Sequence, residues 1–309
     1  MIVAVVGATA TGKSDLALDL AERLQGEVVN ADAMQLYRGM DIGTAKLPVE
    51  QRRGITHHQM DVLDVPDEAS VAAYQRLTRI DLEAIQRRGH PPVLVGGSGL
   101  YVRAALDDLD IPPTDPAVRA RLTAELEAHG VDALRSRLWD RDPVAAGAIE
   151  PNNGRRIVRA LEVVELTGRP FSATMPTRRH LRPTVLLGLV TDRPALDERI
   201  DARVARMWAD GLLDEVTTLL DRGLRQGRTA SMALGYRQAV DHLDGRLTAA
   251  EAQEQTAQAT RRYARRQESW FRADPRVVWL PAGAPDLLDR ALAAVRVAER
   301  PSGADRMTP

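Results

Sequence analysis

The sequence of 309 residues contains no cysteine. Disulfides, thiolate zinc sites, iron–sulfur clusters and cysteine nucleophiles are therefore excluded, and any bound metal must use oxygen or histidine ligands. Aromatic residues make up only 4% of the chain, so the core must be built mainly from aliphatic side chains. Such a core is typical of helices packed on a parallel sheet, and we expect an α/β fold.

Long apolar runs are also missing. No stretch approaches the roughly 20 residues that cross a membrane. The apolar run at residues 2–6 is too short for a signal peptide and lacks the basic flank of one. We therefore expect a cytoplasmic monomer with no membrane partner.

Neither sign of charge dominates, because the formal net charge is −1. A strongly basic domain would be the usual footprint of nucleic-acid binding. Positive charge is instead concentrated in two segments, residues 151–182 with seven arginines and residues 260–272 with five. From charge alone, nucleic-acid contacts and ordinary solvated faces both remain open.

Apolar segments bounded by glycine or polar residues predict buried parallel strands. These segments are residues 2–6, 28–29 leading into Asn30-Ala31-Asp32, 92–95, 185–190 and 277–280. Residues 15–24 and 71–88 follow a helical pattern between the first three strands. We predict a parallel sheet flanked by helices.

About ninety residues separate the third and fourth predicted strands, whereas a crossover needs only ~10–12. We predict a helical insertion domain at residues 112–182, opening at Ile111-Pro112-Pro113 and closing near Pro176 to Pro183. Its helices are predicted at residues 116–129, 131–139 and 155–166.

The remaining residues, 1–111 and 183–300, are predicted to form the catalytic core. Within it, residues 194–272 are predicted to be helical. Residues 301–309 are predicted to be a disordered tail.

The strongest motif is G-x-x-x-x-G-K-[ST], which lies between a predicted strand and a predicted helix. Its residues are Gly7, Ala8, Thr9, Ala10, Thr11, Gly12, Lys13 and Ser14. The glycines let backbone N–H groups surround phosphate oxygens, and the helix N-terminus adds partial positive charge. Lys13 can pair with a phosphate and the Ser14 hydroxyl can ligate Mg²⁺. We predict a diphosphate-binding site with Ser14 as the metal ligand, in a P-loop NTPase-like parallel sheet flanked by helices.

A phosphate-binding loop does not name the reaction, because unrelated activities share it. Asp32 falls where the second strand would emerge beside the loop. A carboxylate there suits a general base or a partner of magnesium. A turn or helix cap made by Asp32 is the alternative that position alone favours.

Residues 30–46, from Asn-Ala-Asp-Ala-Met-Gln to Gly-Thr-Ala-Lys, resemble the segment after the second strand in bacterial tRNA dimethylallyltransferases. The resemblance spans residues 2 to about 280. Further matches follow in the same order, at residues 57–61, 96–101, 152–162, 203–204, 211–212, 235–238 and 260–267.

This resemblance implies transfer of a dimethylallyl group from dimethylallyl diphosphate to N6 of the adenosine next to the anticodon, position 37 of tRNA. Asp32 would accept the N6 proton. Lys13, Ser14 with Mg²⁺, and Arg203 would bind the departing diphosphate and stabilise its charge. Ser98 replaces the more usual threonine of its motif, but the hydroxyl near the target amine is retained.

The target base is stacked in the anticodon stem-loop, so the enzyme must extract it and hold its neighbours. By resemblance, the tRNA-binding residues are Asp32, Ala33, Met34, Gln35, Ser98, Arg119, Arg155, Arg156, Arg159, Gly235, Tyr236 and Arg237. The arginines at 155–159 would hold the backbone of the stem.

Other conspicuous residues have simpler interpretations. His57 and His58 lack a carboxylate-rich ligand pattern around them, and a structural role is predicted for both. Tyr263 and Trp270 share a helix face at i, i+7 spacing and are predicted to make core contacts.

Three alternative functions stay open from the residues alone. A P-loop small-molecule kinase would leave the arginine-rich insertion unexplained. An isopentenyltransferase acting on free adenine nucleotide would share the donor chemistry without needing the insertion. A GTPase-like switch ranks last because the sequence has no Asn-Lys-x-Asp element.

Overall fold

A computed structural model of the chain describes residues 1–174 and 178–300. The chain divides into two compact units, one formed by Met1–Leu106 with the chain from His180 onward, the other by Asp107–Arg179. Pro176, at the predicted close of the insertion, and the predicted disordered tail at 301–309 lie outside the described residues.

The described strands and helices are numbered in chain order. The strands are β1 (Ile2–Gly7), β2 (Glu27–Asn30), β3 (His57–His58), β4 (Pro92–Gly96), β5 (Thr184–Val190) and β6 (Val277–Pro281). The helices are α1 (Lys13–Leu24), α2 (Val71–Arg87), α3 (Gly99–Leu106), α4 (Pro116–Arg141), α5 (Pro143–Ala148), α6 (Gly154–Thr167), α7 (Arg193–Ala209), α8 (Leu212–Asp221), α9 (Tyr236–Leu243), α10 (Ala249–Arg272) and α11 (Leu287–Glu299).

The first unit contains a six-stranded sheet in the order β3-β2-β4-β1-β5-β6, with every neighbouring pair parallel. The α/β fold and all five predicted strands are confirmed. The edge strand β3 was not predicted, because two half-buried histidines do not form an apolar run.

The core of this unit is aliphatic, as the scarcity of aromatics requires. Val3 and Val5 of β1 pack with Leu16 and Leu20 of α1 and with Leu292 of α11. Each such side chain contributes about 1.5–3 kcal/mol when fully buried. A separate cluster joins α7 and α10 beside Ala8. None of the helices in the described residues is long and apolar enough to cross a membrane.

The strand order determines where the functional segments meet. β2, β4 and β1 are adjacent and parallel, so their carboxyl ends lie at the same edge of the sheet. The segments that leave these ends carry Asp32, Ser98 and the loop from Gly7 to Lys13. Three motifs far apart in sequence are thereby collected at one edge.

The second unit is helical. Its core contains Leu122, Leu138, Ile157 and Leu161. A break at Gly130, with φ 79° and ψ 171°, divides α4. The two halves match the predicted helices at 116–129 and 131–139, and α6 matches the third predicted helix.

Candidate functional site

The loop between β1 and α1 has a backbone that its glycines make possible. Gly7 has φ 139°, and a Cβ added there would lie 2.8 Å from the carbonyl oxygen of Leu189. Gly12 has φ 85° and precedes α1, whose N-terminus has no side-chain cap among the described residues. The first N–H groups of α1 therefore remain available to an anion.

Lys13 lies at the centre of a charged cluster. Its Nζ donates to the carbonyl oxygen of Ala8 at 2.5 Å. Burial, together with repulsion by Arg203, lowers the pKa of Lys13 to about 8, while attraction to Asp32 opposes the change. The cluster carries two cationic side chains and one carboxylate, so it suits an anionic ligand with several charged oxygens.

These side chains line an open pocket. Its polar lining residues include Thr9, Lys13, Ser14, Asn30, Asp32, Gln35, Thr44 and Arg203. Its apolar lining residues include Ala17, Val28, Ala45, Leu47, Met60 and Val95. The pocket can hold a ligand with an anionic end and a short hydrocarbon end.

Asp32 is held by local hydrogen bonds after β2. Its backbone N–H donates to Oδ1 of Asn30 at 2.9 Å, and its own Oδ1 accepts the N–H of Met34 at 2.9 Å. Asn30 is fixed in turn, because its Nδ2 donates to the carbonyl oxygen of Gln59 at 2.8 Å. Asp32 thus makes the turn predicted as its alternative role, but that turn uses only one carboxylate oxygen.

Ser98 follows β4, and its side chain lies beside the segment that carries Asp32. Its Oγ accepts the backbone N–H of Ala33 at 3.3 Å. Burial raises the pKa of the nearby Tyr263, repulsion by Asp32 adds to the rise, and a hydrogen bond with Ser98 opposes it. Asp32, Ser98 and Tyr263 are therefore close enough to influence one another.

Arg203 reaches the same pocket from α7. Its Nη2 donates to the carbonyl oxygen of Thr44 at 3.2 Å. Burial lowers the pKa of Arg203, while Asp32 opposes that change. The structure thus brings together Asp32, the predicted proton acceptor, and the three residues predicted to bind the donor diphosphate, Lys13, Ser14 and Arg203.

The loop that carries Thr44 is anchored by a residue that the sequence did not reveal. Glu215 accepts the backbone N–H groups of Asp41 at 3.1 Å and Ile42 at 2.7 Å. It also accepts the hydroxyl of Tyr236 at 2.5 Å. The Tyr236 ring packs against Gly43, where a Cβ would overlap it. Glu215 therefore shapes the pocket wall beside Arg203.

The residues predicted to bind tRNA differ in exposure. Arg237 is exposed, whereas Gly235 and Tyr236 are buried. Tyr236 offers no surface for direct contact with a nucleic acid, because its side chain lies between Gly43 and Glu215. Ala33, Met34 and Gln35 are partly exposed.

The predicted arginines of the second unit also separate into two kinds. Arg119 and Arg159 each donate to Oε2 of Glu162 at 2.7 Å. Arg159 also donates to the carbonyl oxygens of Pro113 at 2.9 Å and Pro112 at 2.8 Å. Glu162 is fully buried, so these two arginines stabilise the unit.

Arg155 and Arg156, in contrast, are exposed on the first turn of α6. They follow Asn153, whose Oδ1 accepts the backbone N–H of Arg156 at 3.2 Å and caps the helix. Their guanidinium groups are thus presented to solvent, where nucleic-acid backbone contacts are made.

The two adjacent histidines, His57 and His58, have different surroundings. His58 is 2.7 Å from Oε2 of Glu27 through Nε2, as its predicted structural role requires. His57 lines the pocket, with Nδ1 at 2.8 Å from the carbonyl oxygen of Ile55. Burial lowers the pKa of His57, which favours the neutral form of its ring. The sequence did not indicate that His57 belongs to the pocket.

The chain matches the family described as IPP transferase over residues 35–274. It is 61% identical over 304 residues to a tRNA dimethylallyltransferase of Kineococcus radiotolerans, covering 96% of this chain and 95% of that protein. It is 60% identical over 299 residues to a tRNA dimethylallyltransferase of Thermobifida fusca, covering 95% of this chain and 94% of that protein.

Solved structures agree with these relatives. A tRNA isopentenylpyrophosphate transferase of Bacillus halodurans superimposes with a TM-score of 0.71 at 41% identity, covering 96% of this chain and 95% of that one. A eukaryotic dimethylallyltransferase acting on tRNA superimposes with a TM-score of 0.83 at 27% identity, covering 99% of this chain and 81% of that one.

Proposed function

The chain belongs to the IPP transferase family, and we propose that it transfers a dimethylallyl group from dimethylallyl diphosphate to N6 of adenosine 37 in tRNA. The observation that carries this proposal is that residues of the phosphate-binding loop, Asp32 and several apolar side chains line the same pocket. The reaction requires each of these: an anion site, a proton acceptor and space for five carbons.

The donor's diphosphate would be held by backbone N–H groups at the start of α1, with Lys13 and Arg203 neutralising its charge. Its hydrocarbon end would lie against apolar lining residues of the pocket, among them Val28, Leu47 and Met60. An acceptor nucleophile would then meet the donor carbon between the two ends.

Mg²⁺ fits this arrangement. Among the described residues no group of three or more histidine and carboxylate side chains could hold a metal ion. Ser14, which is exposed and lines the pocket, offers one hydroxyl oxygen. Mg²⁺ commonly takes few protein ligands and completes its shell with substrate phosphates and water. Bound there, it would supply additional charge stabilisation for the leaving diphosphate.

The chemical step forms a carbon–nitrogen bond, breaks a carbon–oxygen bond and transfers one proton. The N6 nitrogen attacks the first carbon of the dimethylallyl group, and the bond between that carbon and the diphosphate oxygen breaks. Asp32 accepts the N6 proton through the carboxylate oxygen that its turn does not use. Lys13 and Arg203 stabilise the negative charge that builds on the departing diphosphate.

The acceptor base would enter beside Ser98, whose hydroxyl borders the segment of Asp32. The exposed side chains of Arg155, Arg156 and Arg237 are the best candidates for tRNA backbone contacts. Arg119 and Arg159 would support the second unit indirectly through Glu162.

The proposal is tested by supplying one prenyl donor and three classes of acceptor. The protein is incubated with Mg²⁺ and labelled dimethylallyl diphosphate, together with unmodified tRNA, free adenosine monophosphate or water alone. We expect label in tRNA and equimolar release of diphosphate. Label only in free nucleotide would support the free-nucleotide transferase instead. A parallel reaction with ATP labelled in its γ-phosphate tests the kinase alternative, for which we expect no transfer.

A further inference from the structure

Gln267 connects two parts of the site that are distant in sequence. The residue lies on α10 and its side chain is buried, with 5% of the residue exposed. Its Oε1 accepts the backbone N–H of Thr9 in the phosphate-binding loop at 2.9 Å. Its Nε2 donates to the carbonyl oxygen of Gly97, directly before Ser98, at 2.9 Å. One side-chain amide therefore joins the anion-binding loop to the turn after β4.

The two hydrogen bonds determine which atoms the side chain must present. The Thr9 N–H can only donate and the Gly97 carbonyl can only accept, so the bridge needs one acceptor and one donor on a planar end group. Glutamine meets this requirement. Methionine has similar length but can make neither strong hydrogen bond, and ionised glutamate cannot donate.

The surrounding turn is shaped to receive α10. A Cβ at Gly97 would overlap the Gln267 amide, and a Cβ at Gly99 would overlap the ring of Trp270. One turn before Gln267, the side chain of Tyr263 lies close to those of both Ser98 and Gln267. This face of α10 therefore packs along the turn that carries Ser98.

The hydrogen bonds continue from this turn to the proposed base. Ser98 Oγ accepts the N–H of Ala33, next to Asp32. A connected path thus runs from Thr9 through Gln267 and Gly97 to Ser98 and on to the segment of Asp32. Gln267, Gly97 and Ser98 therefore fix the position of the anion-binding loop relative to the segment of the proton acceptor.

We propose that Gln267 is a positioning residue for prenyl transfer, which sets the distance between the bound diphosphate and the groups that face the acceptor amine. This inference rests on the proposed function. Reacting atoms must approach to about 3–3.5 Å, and a misplacement of about 1 Å can cost ~10² in rate. Loss of the bridge should therefore slow the chemical step more than it weakens binding.

The test is single-turnover prenyl transfer with saturating tRNA and donor. Gln267→Met should lower the rate constant by about 10- to 100-fold, with tRNA affinity unchanged. The control is Thr248→Ala, which removes the N-cap of the same helix at a distance of about 28 Å along α10. It should reduce thermal stability while keeping the wild-type rate constant.

A second variant tests the bridge chemically. Gln267→Glu should be slow when ionised, because it cannot donate to Gly97. Protonation restores a donor, so its rate relative to wild type at the same pH should rise as the pH falls. Folded Gln267→Met with a rate constant within twofold of wild type would overturn the inference, as would equal rate losses in Gln267→Met and Thr248→Ala. If wild-type protein transfers no label to tRNA, the proposed function itself has failed.

Discussion

The carboxylate of Asp32 accepts the backbone N–H of Met34 at 2.9 Å through Oδ1 alone. This turn would satisfy a purely structural explanation of the aspartate. However, the hydrogen bond needs only one acceptor oxygen, which an asparagine side chain also provides. The structural and catalytic roles of Asp32 can therefore be separated by substitution.

Asp32→Asn should keep the turn and lose the proton acceptor. We expect turnover to fall by about 10² to 10⁴, with the melting temperature and donor affinity close to those of wild type. Asp32→Ala serves as the comparison, because it removes the turn as well and should lose stability in addition to turnover. Turnover near the wild-type value in folded Asp32→Asn would remove Asp32 from the catalytic role.

Lys13 should make donor binding sensitive to alkaline pH. Its pKa is lowered to about 8 in the free protein, chiefly by burial, and a bound diphosphate would raise it again. Donor affinity should therefore be full below this pKa and fall as the pH rises through it, by up to about tenfold per pH unit. Calorimetry with dimethylallyl diphosphate across this range measures the effect.

Lys13→Arg is the matched control, because arginine stays charged throughout this range. Its affinity should change less with pH, while ionisation of the donor affects both proteins equally. An identical pH dependence in the two proteins would show that Lys13 is not the titrating group.

Arg155 and Arg156 should contribute to tRNA binding by pairing with backbone phosphates. Replacing both by alanine should weaken tRNA binding. The slope of the logarithm of the binding constant against the logarithm of the salt concentration should become shallower by roughly 0.7 to 0.9 for each phosphate that is no longer neutralised. Arg159→Ala is the control on the same helix. Its guanidinium bonds to Glu162, Pro112 and Pro113, so it should mainly lose thermal stability. A salt slope unchanged in the double variant would contradict the phosphate pairing.

Glu162 should make the second unit sensitive to acid. Burial opposes ionisation, but hydrogen bonds from Arg119, Arg159, Thr114 and the Asp115 backbone lower its pKa to about 2. Because the pKa of Glu162 is lower in the folded protein than its ordinary value of about 4.3, the ionised side chain stabilises the folded protein at pH values above about 4.3. This contribution is lost as the pH falls towards 2.

The measurement is chemical denaturation of wild type and Glu162→Gln between neutral pH and about pH 3. The variant should be less stable at pH 7, and the gap should narrow as acid removes the charge from the wild-type carboxylate. A gap independent of pH would show that the charge on Glu162 is not what stabilises the unit.

The parts of the site that could be predicted are those with local or topological causes. The loop from Gly7 to Ser14 follows from a contiguous motif, and its proximity to Asp32 follows from parallel strand order. Gln267 could not be located this way, because its partner Thr9 is 258 positions away. Arginine content alone likewise could not separate exposed Arg155 from Arg159, which is paired with Glu162 at the i+3 position.

The most direct test of the account is nucleoside analysis of tRNA after reaction with dimethylallyl diphosphate and Mg²⁺. Digestion and mass spectrometry, with fragment mapping, identify which nucleoside has gained the five-carbon group and where it lies. We predict a single modified adenosine, prenylated on N6, at position 37, formed by wild type and formed about 10²- to 10⁴-fold more slowly by Asp32→Asn. Unmodified adenosine at position 37 after incubation with folded wild-type protein would contradict the account.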